Sequence, residues 1–330
     1  MTARRVAADE HELLAEATSR TPLRPADGLS GVPMERVVIG GQTYVAKWLG
    51  ADLDWVSRVT GDTVCRPVLM WERGLYDRVA PYVDPAVVAA SRDHTTGRCV
   101  LLMDDVSEHL VEEGANPLTL TEHETFVAAM AAMHAGLWGA PHEDGLCTPR
   151  DVYHTFSLSN IATEAVDGVL SGIPAMVPNG WAELERLAPR TAAAVLALTE
   201  EPEPLARALA ETPQTLVHND WKGGNLGRRP DGRTILLDWA FPGAGAGCVD
   251  LAWYLAVNCD RLPVSKQTAI TTYRDALEHK GIDTAGWFER QLELALLGGF
   301  VLMGWSKTGN PVELAWWVDR VTAVAEDLLR

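Results

Sequence analysis

Cationic side chains are scarce in this chain: 28 lysines and arginines stand against 45 aspartates and glutamates, a formal charge of −17 over 330 residues. A nucleic-acid partner wants a basic face, so that class is set aside; the acidic balance suits a cationic small molecule and also serves solubility. Cysteine is sparse and odd in number, five in all at 65, 99, 147, 248 and 259, with no metal-binding spacing among them. Such usage fits a reducing cytoplasm. No apolar run approaches the length of a membrane span. The opening residues carry Arg4 and Arg5 but no following hydrophobic stretch, so no export signal is evident and a cytoplasmic, membrane-free protein is expected. Internal repeats and low-complexity tracts are missing as well. What the chain does have is 47% hydrophobic residues, enough for a sizeable core in one large domain or two lobes.

The most informative segment runs from Leu216 to Trp239 and holds Asp220, Lys222, Asn225 and Asp238. Thr215–Val217 and Ile235–Leu237 are short apolar, β-prone runs. Gly223, Gly224, Gly227, Pro230, Asp231 and Gly232 lie between them, which predicts a hairpin-like pair of strands turning at Pro230-Asp231-Gly232. Asp220 and Asn225 would ride the loop after the first strand, and Asp238 would end the second. An Asp can accept a hydrogen bond from an attacking hydroxyl, while an Asn and a second Asp can hold Mg²⁺ through oxygen. Lys222 could reach a transferred phosphate as a point charge. H-x-D alone would read as a polar surface turn. H-x-D-x-K-x-x-N followed by an apolar strand ending in Asp is a far rarer conjunction, and it matches phosphoryl transfer.

Upstream, Met34–Ile39 and Thr43–Leu49 read as two strands joined at Gly40-Gly41. Lys47 sits in the second among apolar neighbours; it either faces outward or needs an anionic partner inside. Residues 71–79 have helical spacing of apolar residues and include Glu72, which is either that partner or a solvated face residue. Ala26–Gly31 is a turn whose backbone N–H groups, with Ser30 among them, could lie over phosphates, although it lacks a full G-x-G-x-x-G. Cys99–Met103 is an apolar strand running into Asp104-Asp105-Val106.

The segment around Asp220 resembles the catalytic and metal loops of the aminoglycoside phosphotransferase / choline kinase-like family, relatives of protein kinases. The resemblance implies an α+β, bilobal protein-kinase-like fold: a small β-rich N-lobe over residues 1–104 that binds nucleotide, and a large, mostly helical C-lobe over 105–330 that carries catalysis and substrate binding. It implies Asp220 as catalytic base after His218, Asn225 and Asp238 as magnesium ligands, and Lys222 as a catalytic-loop lysine. Asp238-Trp239-Ala240 stands where protein kinases have D-F-G. Val45-Ala46-Lys47 resembles the kinase V-A-x-K strand, making Lys47 the ligand of the α- and β-phosphates, and Glu72-x-x-x-Tyr76 resembles the helix that supplies its ion-pair partner. Asp250-Leu251-Ala252 resembles the family's D-L-A, whose Asp braces the catalytic loop; a plain N-cap is the other reading of Asp250. The family hinge resembles Leu101–Val106, so Asp104 and Val106 would meet the base with Met103 behind it.

Between hinge and catalytic loop the chain reads as helical. Thr121–Trp138 has Thr121 and Glu124 at capping-box spacing, and His134 there reads as a packed or capping histidine. Further helices are expected near 182–198, 202–211, 265–280, 284–307 and 311–329. Family members wall the acceptor pocket with the region of the last three, which makes Trp305 and Glu313 candidate substrate contacts; the alternative for the aromatics is interhelix packing.

Together these imply transfer of the γ-phosphate of ATP or GTP, with Mg²⁺, to the hydroxyl of a small molecule. Family analogy puts an antibiotic (aminoglycoside, peptide or nucleoside) first, and choline, a sugar or another small alcohol second. A nucleotide-binding regulator is the third reading, disfavoured by the intact Asp220, Asn225, Asp238 and Lys47. A protein kinase is disfavoured because no A-P-E-like segment separates Asp238 from Asp250.

Overall fold

The computed structural model describes residues 5–23, 31–112, 114 and 116–330. The chain divides into two compact units, one formed by residues 1–116 with 223–240, the other by 117–222 with 241–330. A single boundary after residue 104 therefore misplaces the hairpin segment 223–240. The reason is main-chain stitching: Asp84 N–H donates to Thr234 O (2.8 Å), Leu236 N–H to Asp84 O (2.9 Å) and Val111 N–H to Leu226 O (2.8 Å).

The first unit is built on a five-stranded antiparallel sheet in the order β1-β2-β3-β5-β4. Its strands are β1 (Ala17–Leu23), β2 (Met34–Ile39), β3 (Gln42–Leu49), β4 (Val87–Arg92) and β5 (Cys99–Asp104). The β2–β3 hairpin turns where expected. Gly40 and Gly41 take φ of 59° and 83°, the left-handed pair that a two-residue hairpin demands, and Ile39 pairs with Gln42. Because side chains alternate along a strand, Ala46 and Trp48 pack with Val37, Val100 and Leu102 on one face, and Lys47 falls on the other.

Four short helices accompany the sheet: α1 (Glu10–Leu13), α2 (Trp55–Val59), α3 (Arg66–Glu72) and α4 (Leu75–Val79). The helix expected over 71–79 is thus two helices, split at Gly74, whose φ of 65° leaves the right-handed helical region. Glu72 becomes the last residue of α3 instead of an interior one.

The short strands flanking residues 218–234 also pair differently from expectation. β6 (Thr215–Val217) pairs with β9 (Gly243–Gly245), while β7 (Leu226–Arg228) pairs with β8 (Thr234–Leu236). The turn-rich residues between Val217 and Ile235 are numerous enough to make a hairpin of their own, so Thr215–Val217 and Ile235–Leu237 end up in different units. At Gly227 the backbone of β7 passes so close to the chain that an added Cβ would meet His109 O at 2.4 Å.

The second unit is mostly helical: α5 (Leu120–Gly136), α6 (Pro149–Tyr153), α7 (Leu158–Ala162), α8 (Gly172–Leu187), α9 (Pro189–Glu200), α10 (Glu203–Ala210), α11 (Cys248–Val257), α12 (Lys266–His279), α13 (Phe288–Met303) and α14 (Pro311–Leu328). The capping box of α5 sits two residues earlier than its sequence suggested. Thr119, in extended backbone geometry, exchanges bonds with Glu122, while Thr121 and Glu124 lie inside the helix. Trp181, Trp317, Phe126, Phe300, Tyr254 and Tyr273 fill the core among these helices. Among the described residues no helix is long and apolar enough to cross a membrane.

Candidate active site

In the second unit, β6 delivers the chain into His218-Asn219-Asp220. The loop is held from α11. Asp250, fully buried, accepts the backbone N–H of His218 on Oδ2 (2.9 Å) and that of Asn219 on Oδ1 (2.6 Å). His134, equally buried on α5, places Nε2 3.0 Å from the same Oδ2 and Nδ1 2.8 Å from the Tyr273 hydroxyl. Asp250 lies within the first turn of α11, whose N-cap is Gly247, so its carboxylate serves the loop and not its own helix end. Asn219 adopts φ of 61°, a left-handed conformation that Asn tolerates, and its amide donates to Phe241 O at 2.8 Å.

These restraints aim Asp220. Its N–H donates to His218 Nδ1 (3.1 Å), which gives the buried His218 its supporting part. The Asp220 carboxylate, 6% exposed, takes the Lys222 ammonium on Oδ2 (2.9 Å) and the indole N–H of Trp253 on Oδ1 (3.0 Å). The sequence reading missed Trp253 and gave His134 no partner. Both could have been sought by helical spacing: Trp253 follows Asp250 by three residues, and His134 lies on the buried side of an Ala-rich helix.

In the first unit, the Lys47 ammonium on β3 lies 2.8 Å from Asp238 Oδ1, with side chains 13% and 33% exposed. Asp238 itself has φ of 62°, a left-handed strain that turns the chain just after β8. Leu237 N–H donates to Asn225 O (2.9 Å), which brings Asn225 alongside the residue before Asp238. Asn225 is buried. Glu72 does not pair with Lys47. It binds Arg92 Nε at 2.7 Å, because the break at Gly74 leaves it at the end of α3, beside β4.

Two further groups lie near that lysine pair, Asp54, which the sequence did not single out, and Tyr76. Asp54, the N-cap of α2, is 5% exposed and accepts from Val56 N–H and the Ser57 hydroxyl. Burial pushes its carboxyl above the ordinary range; the Val56 bond and the Lys47 charge oppose this, and the Asp238 charge adds to it. Tyr76, packed edge-on against Trp239, buries its hydroxyl without a hydrogen-bond partner, and burial first, then Cys65 and Asp238, push that phenol well up.

The model of the phosphotransferase enzyme family matches residues 42–289, more than half the chain. The chain belongs to that family. Among solved structures, choline kinase LicA from Streptococcus pneumoniae is similar at 14% identity and a TM-score of 0.54, covering 96% of this chain and 98% of that one. LicA in complex with AMP gives 13% and 0.53, over 97% and 96%. A thermostable mutant of aminoglycoside phosphotransferase APH(4)-Ia gives 16% and 0.49, over 96% and 97%. The LicA likeness shows a protein-kinase-like fold, with the five-stranded antiparallel sheet of the first unit and the mostly helical second unit. No curated protein matches the sequence.

The remaining residues of interest in this phosphotransferase are less uniform. Met103 and Asp104 close β5, Met103 opposite Val45 and Asp104 opposite Tyr44. The Asp104 N–H is spent on Ala86 O (2.8 Å), and its carboxylate accepts Arg229 Nη2 (2.9 Å). Arg229 also donates to Asp84 Oδ2 at 2.6 Å, so one guanidinium ties the end of β5 to the β7–β8 turn. Val106 is buried with Ala86 and Ile235. Ser30 lies outside the described residues. Trp305 is buried, lies tilted against Phe156 and donates to Leu302 O, while Glu313 accepts from Trp317 Nε1 (2.7 Å) and pairs with Lys266. Trp305 thus has the interhelix packing that was the alternative for the aromatics, and Glu313 is held by Lys266 and Trp317.

Proposed function

We propose that this chain moves the γ-phosphate of ATP or GTP to a hydroxyl of a small molecule. The observation that carries the reading is the Lys47–Asp238 pair, two residues 191 apart in sequence that phosphoryl transfer asks for independently and that meet at 2.8 Å. Asp220 accepts the proton of the acceptor hydroxyl as its oxygen bonds to the γ-phosphorus and the bond to the β–γ bridging oxygen breaks. Lys222 steadies that carboxylate and lends positive charge to the transferred group. Lys47 exchanges Asp238 for the α- and β-phosphates. Asp104, through its carbonyl, and Val106, through its N–H, read the base, with residues 1–104 contributing most of the nucleotide lobe.

Magnesium suits the donors present: Asp238 already takes a cation, and Asn225 beside it offers an amide oxygen, the hard-oxygen chemistry that this ion prefers. Bound there, the ion neutralises phosphate charge. With a loose transition state, orientation of the hydroxyl by Asp220 outweighs its basicity.

For the acceptor, an antibiotic stands first on family grounds and a metabolic alcohol second; the acidic charge of −17 favours a cationic one of either kind. A cytoplasmic site of action accords with the cysteine usage. The test is a panel of hydroxylated antibiotics and metabolites with ATP and GTP, read by mass spectrometry of products. Asp220→Ala should lower kcat by about 10²–10⁴-fold with nucleotide binding retained. No product from any acceptor would return the chain to a nucleotide-binding regulator, and full turnover in Asp220→Ala would overturn the role given to Asp220.

A further inference from the structure

Asp250 and Trp253 stand three residues apart on α11 and so share one face of that helix. The first holds the backbone of the loop at His218 and Asn219; the second holds the side chain that the loop exists to present, its indole N–H 3.0 Å from Asp220 Oδ1. Indoles in this chain donate to both kinds of acceptor, Trp48 and Trp317 to the carboxylates of Glu10 and Glu313 and others to the main chain. The indoles of Trp181, Trp239 and Trp305 donate to main-chain carbonyls of Phe156, Leu236 and Leu302. Trp253 spends its N–H on a carboxylate that is almost wholly buried, where a neutral donor to a charged acceptor is worth most.

The donor's chemistry also matters. An indole N–H gives a hydrogen bond and accepts none, carries no charge, and hangs from a side chain with only two rotatable bonds. It cannot take a proton from Asp220 or compete with it for the acceptor hydroxyl. A second donor to the carboxylate, Lys222, is 37% exposed and flexible, and its charge answers to whatever phosphate approaches. A rigid, pH-indifferent donor on Oδ1 and a mobile cation on Oδ2 make the two oxygens inequivalent.

We propose that Trp253 is a positioning residue of the phosphotransfer site, fixing the rotation of the Asp220 carboxylate and thereby which lone pairs meet the acceptor hydroxyl. This rests on Asp220 being the proton acceptor proposed above.

Trp253→Phe removes the N–H and keeps an aromatic ring. With the acceptor identified by the product panel, its kcat should fall about tenfold to a hundredfold, the equivalent of one hydrogen bond to a charged group, while the nucleotide KM stays at the wild-type value. A general loosening of the fold would move both. Indole ¹⁵N–¹H spectra give a readout independent of turnover: the signal lost in Trp253→Phe should, in otherwise wild-type protein, shift when Asp220→Asn is introduced. A signal that ignores Asp220→Asn overturns the contact whether or not Trp253→Phe folds. A Trp253→Phe enzyme with wild-type kcat overturns the positioning role and leaves the phosphotransferase reading standing. A wild-type protein that phosphorylates nothing overturns both.

Discussion

Replacing Asp250 tests whether the loop at His218–Asp220 is held by one carboxylate. Its Oδ2 serves both His218 N–H and His134 Nε2, and its Oδ1 serves Asn219 N–H; Asp250, His134 and His218 have no exposure to water. Asp250→Asn keeps the volume but turns one oxygen into an NH₂. Placed at Oδ2, that group opposes the His218 N–H; placed at Oδ1, it opposes the Asn219 N–H. Either way one buried backbone donor is stranded, at a cost of about 1–3 kcal/mol. Asp250→Ala strands all three partners and opens a void, so the loss rises to about 3–5 kcal/mol. Urea unfolding followed by tryptophan fluorescence gives both numbers, and the order Asn milder than Ala is part of the expectation. Turnover should fall further than stability alone explains, because the loop that Asp250 releases carries Asp220. Unfolding of both variants at the wild-type urea midpoint would refute the bracing account.

Three further expectations follow from the packing. Arg229→Ala removes the guanidinium shared by Asp84 and Asp104 and should cost about 2 kcal/mol in denaturant unfolding, with Arg229→Lys recovering only part because an ammonium cannot fork between two carboxylates. Gly227→Ala would drive a Cβ against a main-chain oxygen 2.4 Å away, and about 1–3 kcal/mol should be lost by the same measurement; a neutral result would mean that the His109 backbone yields. Burial raises the Asp54 carboxyl, so the folded state binds its proton more tightly than the unfolded chain does, and this residue's contribution is full below the unfolded Asp value of about 3.9 and lost as pH rises through the folded value. Asp54→Asn, still a good N-cap, should therefore gain on wild type as pH rises above that point, and a difference that stays flat with pH would count against a buried, titrating Asp54.

The elements legible in sequence were those set by local rules. The β2–β3 hairpin announced itself through Gly40-Gly41 and its flanking apolar runs, and the Asp220, Asn225 and Asp238 signature through spacing that few other chemistries use. Partners chosen across long separations were not legible. Whether Thr215–Val217 pairs with Ile235 or with Gly243 depends on which short strand the intervening turn releases, and both runs are equally apolar. Glu72 went to Arg92 because a single left-handed glycine at 74 broke a helix whose apolar spacing runs straight through it. Asp54 and Trp253 carry no motif: a capping aspartate and a helical tryptophan look ordinary until the fold buries one near Lys47 and turns the other onto Asp220.

The first unit is not a contiguous stretch of chain, and this has a consequence for how the protein is made. Residues 1–116 leave the ribosome before 117–330, with all five strands of the sheet among them. The partners of Asp84 and Val111, however, lie beyond residues 117–222, in the hairpin that ends the unit at Ala240. Until that hairpin is synthesised, the main-chain groups of Asp84 and Val111 wait unpaired, and Ala86 and Val106 lack Ile235 as a neighbour. The nascent sheet must therefore persist incomplete while most of the helical unit emerges. A fragment ending at 116 should behave as an arrested intermediate, to be completed by a peptide spanning 223–240.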